Sequence, residues 1–482
     1  MLFLGLSSVL MAQDSLILTL EEAISMAKKN SIEAQIAGNR FNNAFWSFRS
    51  FKADQRPVLN LNGTIPSFNR SISTITLPDG TDVFVNRSLA NSSLNLALSQ
   101  EIPFTGGRIY AGSNLNRIDL FADSNTVAYL SSPFFVGIQQ PLFGYNSWKW
   151  RRQIEPLRLE EADRGYLEDM EDVAIQTVNL FFSVHLAQIN RDIAEFNLAN
   201  NDSIYKVSQG RYNLGKIAEN DLLQIELTVL NAQVARTIAD NDINNNSSRL
   251  RRFLGLQDNT PVRLIPPTQI PELQVEPAVA LKYALELRSD PISFQRQQIE
   301  AEEQLAQVKG NTGFSANLFA EYGLQGSSGG ELGASYSDPQ SFQTVALSLS
   351  VPILDWGKAK SQREIARSNL DLIESQIRQS SQNFEQEVYL RVQQFNIQSN
   401  QVKIAAKADT VSRRRFKVAK NRYIIGNTDI TDLNIASAEE DQARRAYISA
   451  LLSYWNDYYA VRKLTLFDFV NSASIVGTHT DN

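Results

Sequence analysis

A chain of 482 residues, 43% hydrophobic and 20% charged, has core material for about two or three ordinary domains, and its net charge of −6 argues against a general nucleic-acid binder, which needs a net basic face. The absence of cysteine excludes disulfides, thiolate metal sites, cysteine nucleophiles and a lipid-modified N-terminal cysteine. With only two histidines, His185 in LFFSVHLA and His479 in the polar tail, no imidazole metal site or catalytic triad is expected, nor any cofactor, and His185 reads as a packed or solvated helix residue.

In chain order, MLFLGLSSVLMAQDS carries an apolar run and a small-residue cleavage pattern, so residues 1–13 are expected to be a signal peptide, although the usual basic start is missing. No later run of ~18 apolar residues predicts a transmembrane helix. A first structural repeat is expected over 14–260: a helix from EEAISMAKKNS, a helix near 31–56, strands near 58–70, 89–102, 107–120 and 133–143, and a long helical hairpin over about 148–255. PVRLIPPTQIPELQVEP, 261–277, breaks any helix and reads as a linker. A second repeat follows over 278–470, with a helix from VALKYALELRS, strands near 314–325 and 343–354, and a hairpin over about 358–466; a polar tail occupies 471–482. The elements recur in the same order, SSLNLALSQEIPFTGGR sets Pro103 opposite Pro352 of TVALSLSVPILDWGK, and RYNLGKIAENDL returns as RYIIGNTDITDL. This points to an internal duplication.

A 65-residue helix would span on the order of 100 Å, several times the globular mean. In the second long helix, Leu370, Ile377 and Phe384 are spaced by seven, as are Val388, Phe395 and Val402, with a step of four between the sets. That stutter suits nearly straight packed helices, and the Gln- and Ser-rich faces suit helices wet on one side. In the strands Val345, Leu347, Leu349 and Val351 alternate with Thr344, Ala346, Ser348 and Ser350. Such a sheet either builds a sandwich core or faces lipid outside a wet lumen. Three features favour the barrel. The first is the export signal. The second is an aromatic girdle with basic neighbours, made by Phe104, Phe143, Tyr145, Trp148, Trp150 and Trp356. The third is the strand count: about six strands are too few to close a barrel, so several chains must share one. An exported coiled-coil scaffold with a soluble β-sandwich is the alternative.

LTLEEAISMAKKNS, the turns QPLFG and VPILDWGKAK, and the doubled RY…G…DL together resemble the TolC-like outer-membrane efflux proteins. The resemblance implies an α+β membrane protein: a homotrimer with one shared β-barrel, each chain giving ~4–6 strands, continuous with a long α-helical periplasmic barrel of antiparallel coiled-coil hairpins. It implies residence in the outer membrane of a Gram-negative bacterium and contact with outer-membrane lipid. It further implies a passive, non-enzymatic conduit that docks a periplasmic adaptor and an inner-membrane transporter of RND, ABC or MFS type, expelling small molecules or a secreted protein. On this resemblance Arg211, Tyr212, Gly215, Arg422, Tyr423 and Gly426 form the adaptor-docking turns, and Asp221 and Asp432 are constriction candidates. The chain departs from the family pattern at Ile435 and Thr428, where a second acidic ring and a basic latch would stand. The additional hairpin in the first half would give a trimer of about 18 strands in place of about 12, unless it packs outside the barrel.

Overall fold

The computed structural model describes residues 16–121, 125–256, 262–267 and 270–477. The expected signal peptide, His479 and the end of the tail lie outside the described residues, as do 257–261 and 268–269 around the proline-rich segment.

The elements run β1 (Leu16–Thr19), α1 (Leu20–Asn30), α2 (Ile32–Asp54), β2 (Val58–Thr76), β3 (Asp82–Ile102), β4 (Gly107–Phe121), β5 (Thr126–Leu142), α3 (Ser147–Asn213) and α4 (Glu219–Phe253). They then run β6 (Val262–Ile265), α5 (Pro277–Leu287), α6 (Ser289–Asn311), β7 (Ser315–Gly329), a 3-10 turn (Gly333–Tyr336), β8 (Gln340–Ser350), α7 (Lys358–Ile424), α8 (Ile430–Thr465), β9 (Phe467–Asp468) and β10 (Ala473–Ser474). The same series occurs twice, with four strands in the first copy and two in the second. The starts of the two copies are joined, because β1 and β6 pair in parallel from Leu16 opposite Val262 to Thr19 opposite Ile265. The LTLEE stretch is a capping box: the Glu22 N–H donates to Thr19 Oγ1 and the Thr19 N–H donates to the Glu22 carboxylate at 2.9 Å.

The chain divides into two compact units, one of residues 16–42, 161–291 and 380–477 and the other of 43–160 and 292–379. In the first unit the expected stripe of α7 turns inward: Phe384, Val388, Phe395 and Val402 are buried with Val173, Val178 and Phe181 of α3 and Leu451 and Tyr454 of α8. Fully burying one such side chain stabilises by about 1.5–3 kcal/mol, so this seam holds the long helices in register. Glu171 lies almost fully buried between Lys28 Nζ at 2.7 Å and Arg462 Nε at 3.1 Å, and Arg462 reaches on to Asp468, so charged bonds tie α1, α3, α8 and β9 together.

The second unit contains one six-stranded antiparallel sheet in the order β2-β3-β4-β5-β7-β8. The additional hairpin of the first half is thus hydrogen-bonded within the sheet. Register places Leu59 opposite Leu98, Leu98 opposite Ala111, Ala111 opposite Val136, and Leu318 opposite Leu347, which gathers the apolar side chains on one face. Asn62, Asn95 and Asn114 align on the other. Two register shifts, between Thr64 and Ser67 and between Ser131 and Phe134, coincide with Pro66 and Pro133, which lack the N–H that a regular ladder needs. On the polar face the Tyr110 hydroxyl passes over Gly137 to donate to Glu321 at 2.7 Å, and a Cβ at that glycine would collide with the ring.

Two expectations need correction. The soluble sandwich has no second layer: among the described residues the only other sheets are two-stranded, and Leu96, Leu98, Val345 and Leu347 stay 42–76% exposed. The proposed match of Pro103 with Pro352 also fails. Pro103 lies in the β3–β4 turn, whereas the strand that leads into the long helix of the first copy is β5, ending at Pro141-Leu142. The additional hairpin displaced the comparison by one strand pair.

Candidate functional site: the paired hairpin turns

Each long helix ends on the doubled motif, and the backbone explains its glycine. In the first copy the Lys216 N–H donates to Arg211 O at 2.9 Å and the Gly215 N–H to Tyr212 O at 2.8 Å; in the second, Asn427 donates to Arg422 O at 2.9 Å and Gly426 to Tyr423 O at 3.0 Å. This double closure requires a left-handed residue after the helix, and Gly215 and Gly426 have φ of +68° and +83°.

The acidic residues then start the return helices, differently in the two copies. Ala218 has no side-chain acceptor at the start of α4, and Asp221, three residues on, accepts the Ala218 N–H at 3.4 Å. In α8 the cap is Asp429, which accepts the Asp432 N–H at 2.9 Å, leaving the Asp432 carboxylate to accept from the Thr428 hydroxyl at 2.8 Å. Asp432 therefore does not cap the helix with its own side chain. It is exposed beside a groove of ≈ 460 Å³ lined also by Val411, Arg414, Arg415, Val418 and Arg422.

The two turns meet through part of the motif only. Tyr423 is buried with Ile204, Ile225, Phe416, Leu433 and Ala436, and its hydroxyl lies 3.0 Å from Ser208 Oγ. The Arg211 guanidinium sits 5.7 Å over the Tyr423 ring, and its Nη2 is 3.5 Å from where a Cβ on Gly426 would stand. The structure thus gathers Arg211, Tyr423 and Gly426, while Tyr212 stays exposed and Arg422 turns toward Asn427 O of its own loop. Equal sequence motifs have taken unequal environments.

A family model described as outer membrane efflux protein matches residues 23–256 and 292–465. The chain belongs to the outer membrane efflux protein family. Its fold is similar to that of the outer-membrane channel OprN, with a TM-score of 0.67 at 15% identity over 92% of this chain and 89% of that one. The CmeC outer membrane channel of Campylobacter jejuni gives 0.66 at 15% over 93% and 86%, and the outer membrane protein VceC of Vibrio cholerae 0.63 at 14% over 93% and 95%. No curated protein matches the chain. Membership places this efflux protein in the outer membrane with a helical periplasmic extension, in a family of channels.

The girdle residues of the efflux protein divide into two groups. Phe104, Phe143 and Trp356 project outward, 77–89% exposed, whereas Trp148 is buried against Phe51 with ring centroids 6.1 Å apart. Tyr145 donates its hydroxyl to Glu303, and Trp150 is half-buried beneath Lys149. Trp148 is therefore a packing residue between α2 and α3, which corrects its assignment to the girdle.

Three features escaped sequence reading. A second stripe on α7, Leu390, Ile397, Ile404, Val411 and Val418, is exposed at a strict spacing of seven and is continued by Ile425 just past the helix end, and Leu223, Leu227, Leu230 and Val234 are exposed along α4. Phe45, Trp46 and Phe48 of α2 form an aromatic face with Arg49 and Lys52 over the rings. Asp457, largely buried on α8, accepts from Gln394 Nε2 at 3.2 Å, and burial pushes its carboxyl above the usual 3.8. His185 is buried beside Phe182, and burial holds its pKa below the usual histidine value.

Proposed function

We propose that three copies of this chain form one passive outer-membrane conduit, each giving six strands to a common barrel of about 18. The observation that carries the reading is the sheet itself: six strands, an exposed apolar face, and two edges, β2 and β8, that have no partner strand among the described residues. An exposed edge of this length is normally blunted or covered, and here β2 of one copy pairs with β8 of the next. The unpartnered apolar stripes on α4 and α7 support the same assembly, since a heptad stripe calls for a facing helix.

The conduit performs no bond chemistry. Cargo is driven by an inner-membrane transporter of RND, ABC or MFS type through a periplasmic adaptor, which docks on the turns around Gly215 and Gly426. Asp432, with Asp221, supplies carboxylates near the narrow end, where like charges from three copies favour bound cations. The similar fold of the MtrE outer membrane channel of Neisseria gonorrhoeae, whose structure is described as an open state, supports a conduit with more than one state.

The test is detergent dependence with mass. The expected result is a trimer that stays in solution only in detergent or lipid; recovery as a detergent-free monomer contradicts the reading.

A further inference from the structure

The six strands are antiparallel neighbours, so the ends where they meet helices fall at one edge of the sheet: α2 into β2, β5 into α3, α6 into β7 and β8 into α7, together with the β3–β4 turn. At this edge two large side chains sit on left-handed backbone, Phe143 with φ +63° and Trp356 with φ +53°. Bulky residues rarely occupy that region, which costs about 1–3 kcal/mol, and such strain marks positions where the side chain's direction matters. Both rings are directed into solvent, 77% and 89% exposed.

The same edge carries cations without carboxylate partners. Arg49 lies 5.2 Å over Trp46, Lys52 4.9 Å over Phe48, Lys149 5.5 Å over Trp150 and Arg152 5.0 Å over Phe104. All four are exposed, and none forms an ion pair among the described residues. The nearby Asp54 is already held by Arg151 at 3.2 Å. A cation over a ring is oriented by one face of its charge, and its remaining N–H donors stay free. Aromatic rings favour the level of lipid headgroups, where an adjoining cation meets phosphate.

We propose that this edge is a binding collar for anionic phospholipid headgroups of the periplasmic leaflet: Phe143 and Trp356 enter the acyl boundary, and Arg49, Lys52, Lys149 and Arg152 hold the phosphates. The proposal rests on the membrane-barrel reading, whose apolar sheet face adjoins the collar. Charge complementarity selects the occupant, since a zwitterionic headgroup cancels much of the attraction that an anionic one retains. The collar favours proteins seated in anionic lipid and fixes the depth at which the sheet sits.

The test reconstitutes the detergent-purified full chain into nanodiscs of phosphatidylcholine with or without phosphatidylglycerol and counts retained lipid by native mass spectrometry. Each cation near a charged surface is worth about fivefold in binding, so retention of phosphatidylglycerol over phosphatidylcholine is expected to exceed about tenfold at low salt and to fall steeply in 1 M salt. The combined variant Arg49→Gln, Lys52→Gln, Lys149→Gln, Arg152→Gln is expected to bring the ratio within about twofold; should it fail to fold, the salt titration of the unaltered protein decides alone. Entry into both nanodiscs with equal, salt-independent retention overturns the collar and leaves the channel standing. Failure to enter either overturns the membrane reading itself.

Discussion

Replacing the turn glycines isolates a single physical cost. A Cβ at Gly215 has nothing within 4 Å, and one at Gly426 meets only Arg211 Nη2 at 3.5 Å, an ordinary contact. Alanine at either site therefore costs backbone conformation alone, about 1–2 kcal/mol for an L residue held left-handed; valine costs more, being β-branched, and asparagine less. The amides to watch are those of Lys216 and Asn427, bonded to Arg211 O and Arg422 O. If local opening governs their exchange, alanine speeds it about five- to thirtyfold, in the order Gly, Asn, Ala, Val. Hydrogen exchange on the detergent-solubilised protein measures this directly. Because Tyr423 anchors the second turn in the buried cluster and Tyr212 does not anchor the first, the loosening at Gly426 should spread to Leu433, whereas that at Gly215 should remain local. Exchange at the unaltered rate at both amides in the alanine variants would mean that the left-handed backbone at these turns carries no such cost. In cells, Gly426→Val is expected to impair export while trimers still assemble, and unchanged export counts against adaptor docking at this turn.

Asp457→Asn keeps an acceptor for Gln394 and removes a charge that burial disfavours. A carboxyl raised in the folded state costs nothing below the unfolded value of 3.8; as pH rises past it the unfolded chain ionises first and the fold loses stability. The variant should thus melt higher than the native chain at pH 7 and equally near pH 3, and a lower melting temperature at pH 7 would show that the Gln394 hydrogen bond and the nearby charge of Arg391, both of which favour the carboxylate, together more than offset the burial. For Asp432→Ala, single-channel recording in planar bilayers should show higher conductance and weaker block by divalent cations; an identical cation response rules out a carboxylate ring there.

Sequence recovered the elements whose ends are punctuated locally. The long helices α3 and α7 begin after Pro- and Gly-containing turns and stop at the left-handed glycines, so Ser147–Asn213 and Lys358–Ile424 begin within a residue of the expected hairpin starts near 148 and 358. Where pairing is distant, local pattern was silent: LILT and VRLI are four residues each, and nothing in either announces a parallel ladder across about 250 residues. The sheet strands ran longer than expected, β2 to Thr76 and β3 from Asp82, because alternation fades into Ser- and Asn-rich sequence around the Leu77–Gly80 turn. The outer stripe of α7 was hidden by its inner one, since a helix apolar on two sides shows no single periodic face until burial separates Phe395 from Ile397. At the hairpin turns the doubled letters were visible, but their inequality was not: Tyr423 is buried and Tyr212 exposed because Ser208 and Phe416 meet only the second turn.

The central claim, that copies of this chain close one barrel through β2 and β8, is open to direct test because the sequence has no cysteine. A cysteine at Leu61 on the outer edge strand is combined in turn with one at Val345, Leu347 or Leu349, and oxidation of the membrane-embedded protein is followed by denaturing electrophoresis. At least one register is expected to give a covalent trimer, closed head to tail, with dimer as its precursor. A chain that stays monomeric in every register, or that cross-links only within itself, would contradict the shared barrel.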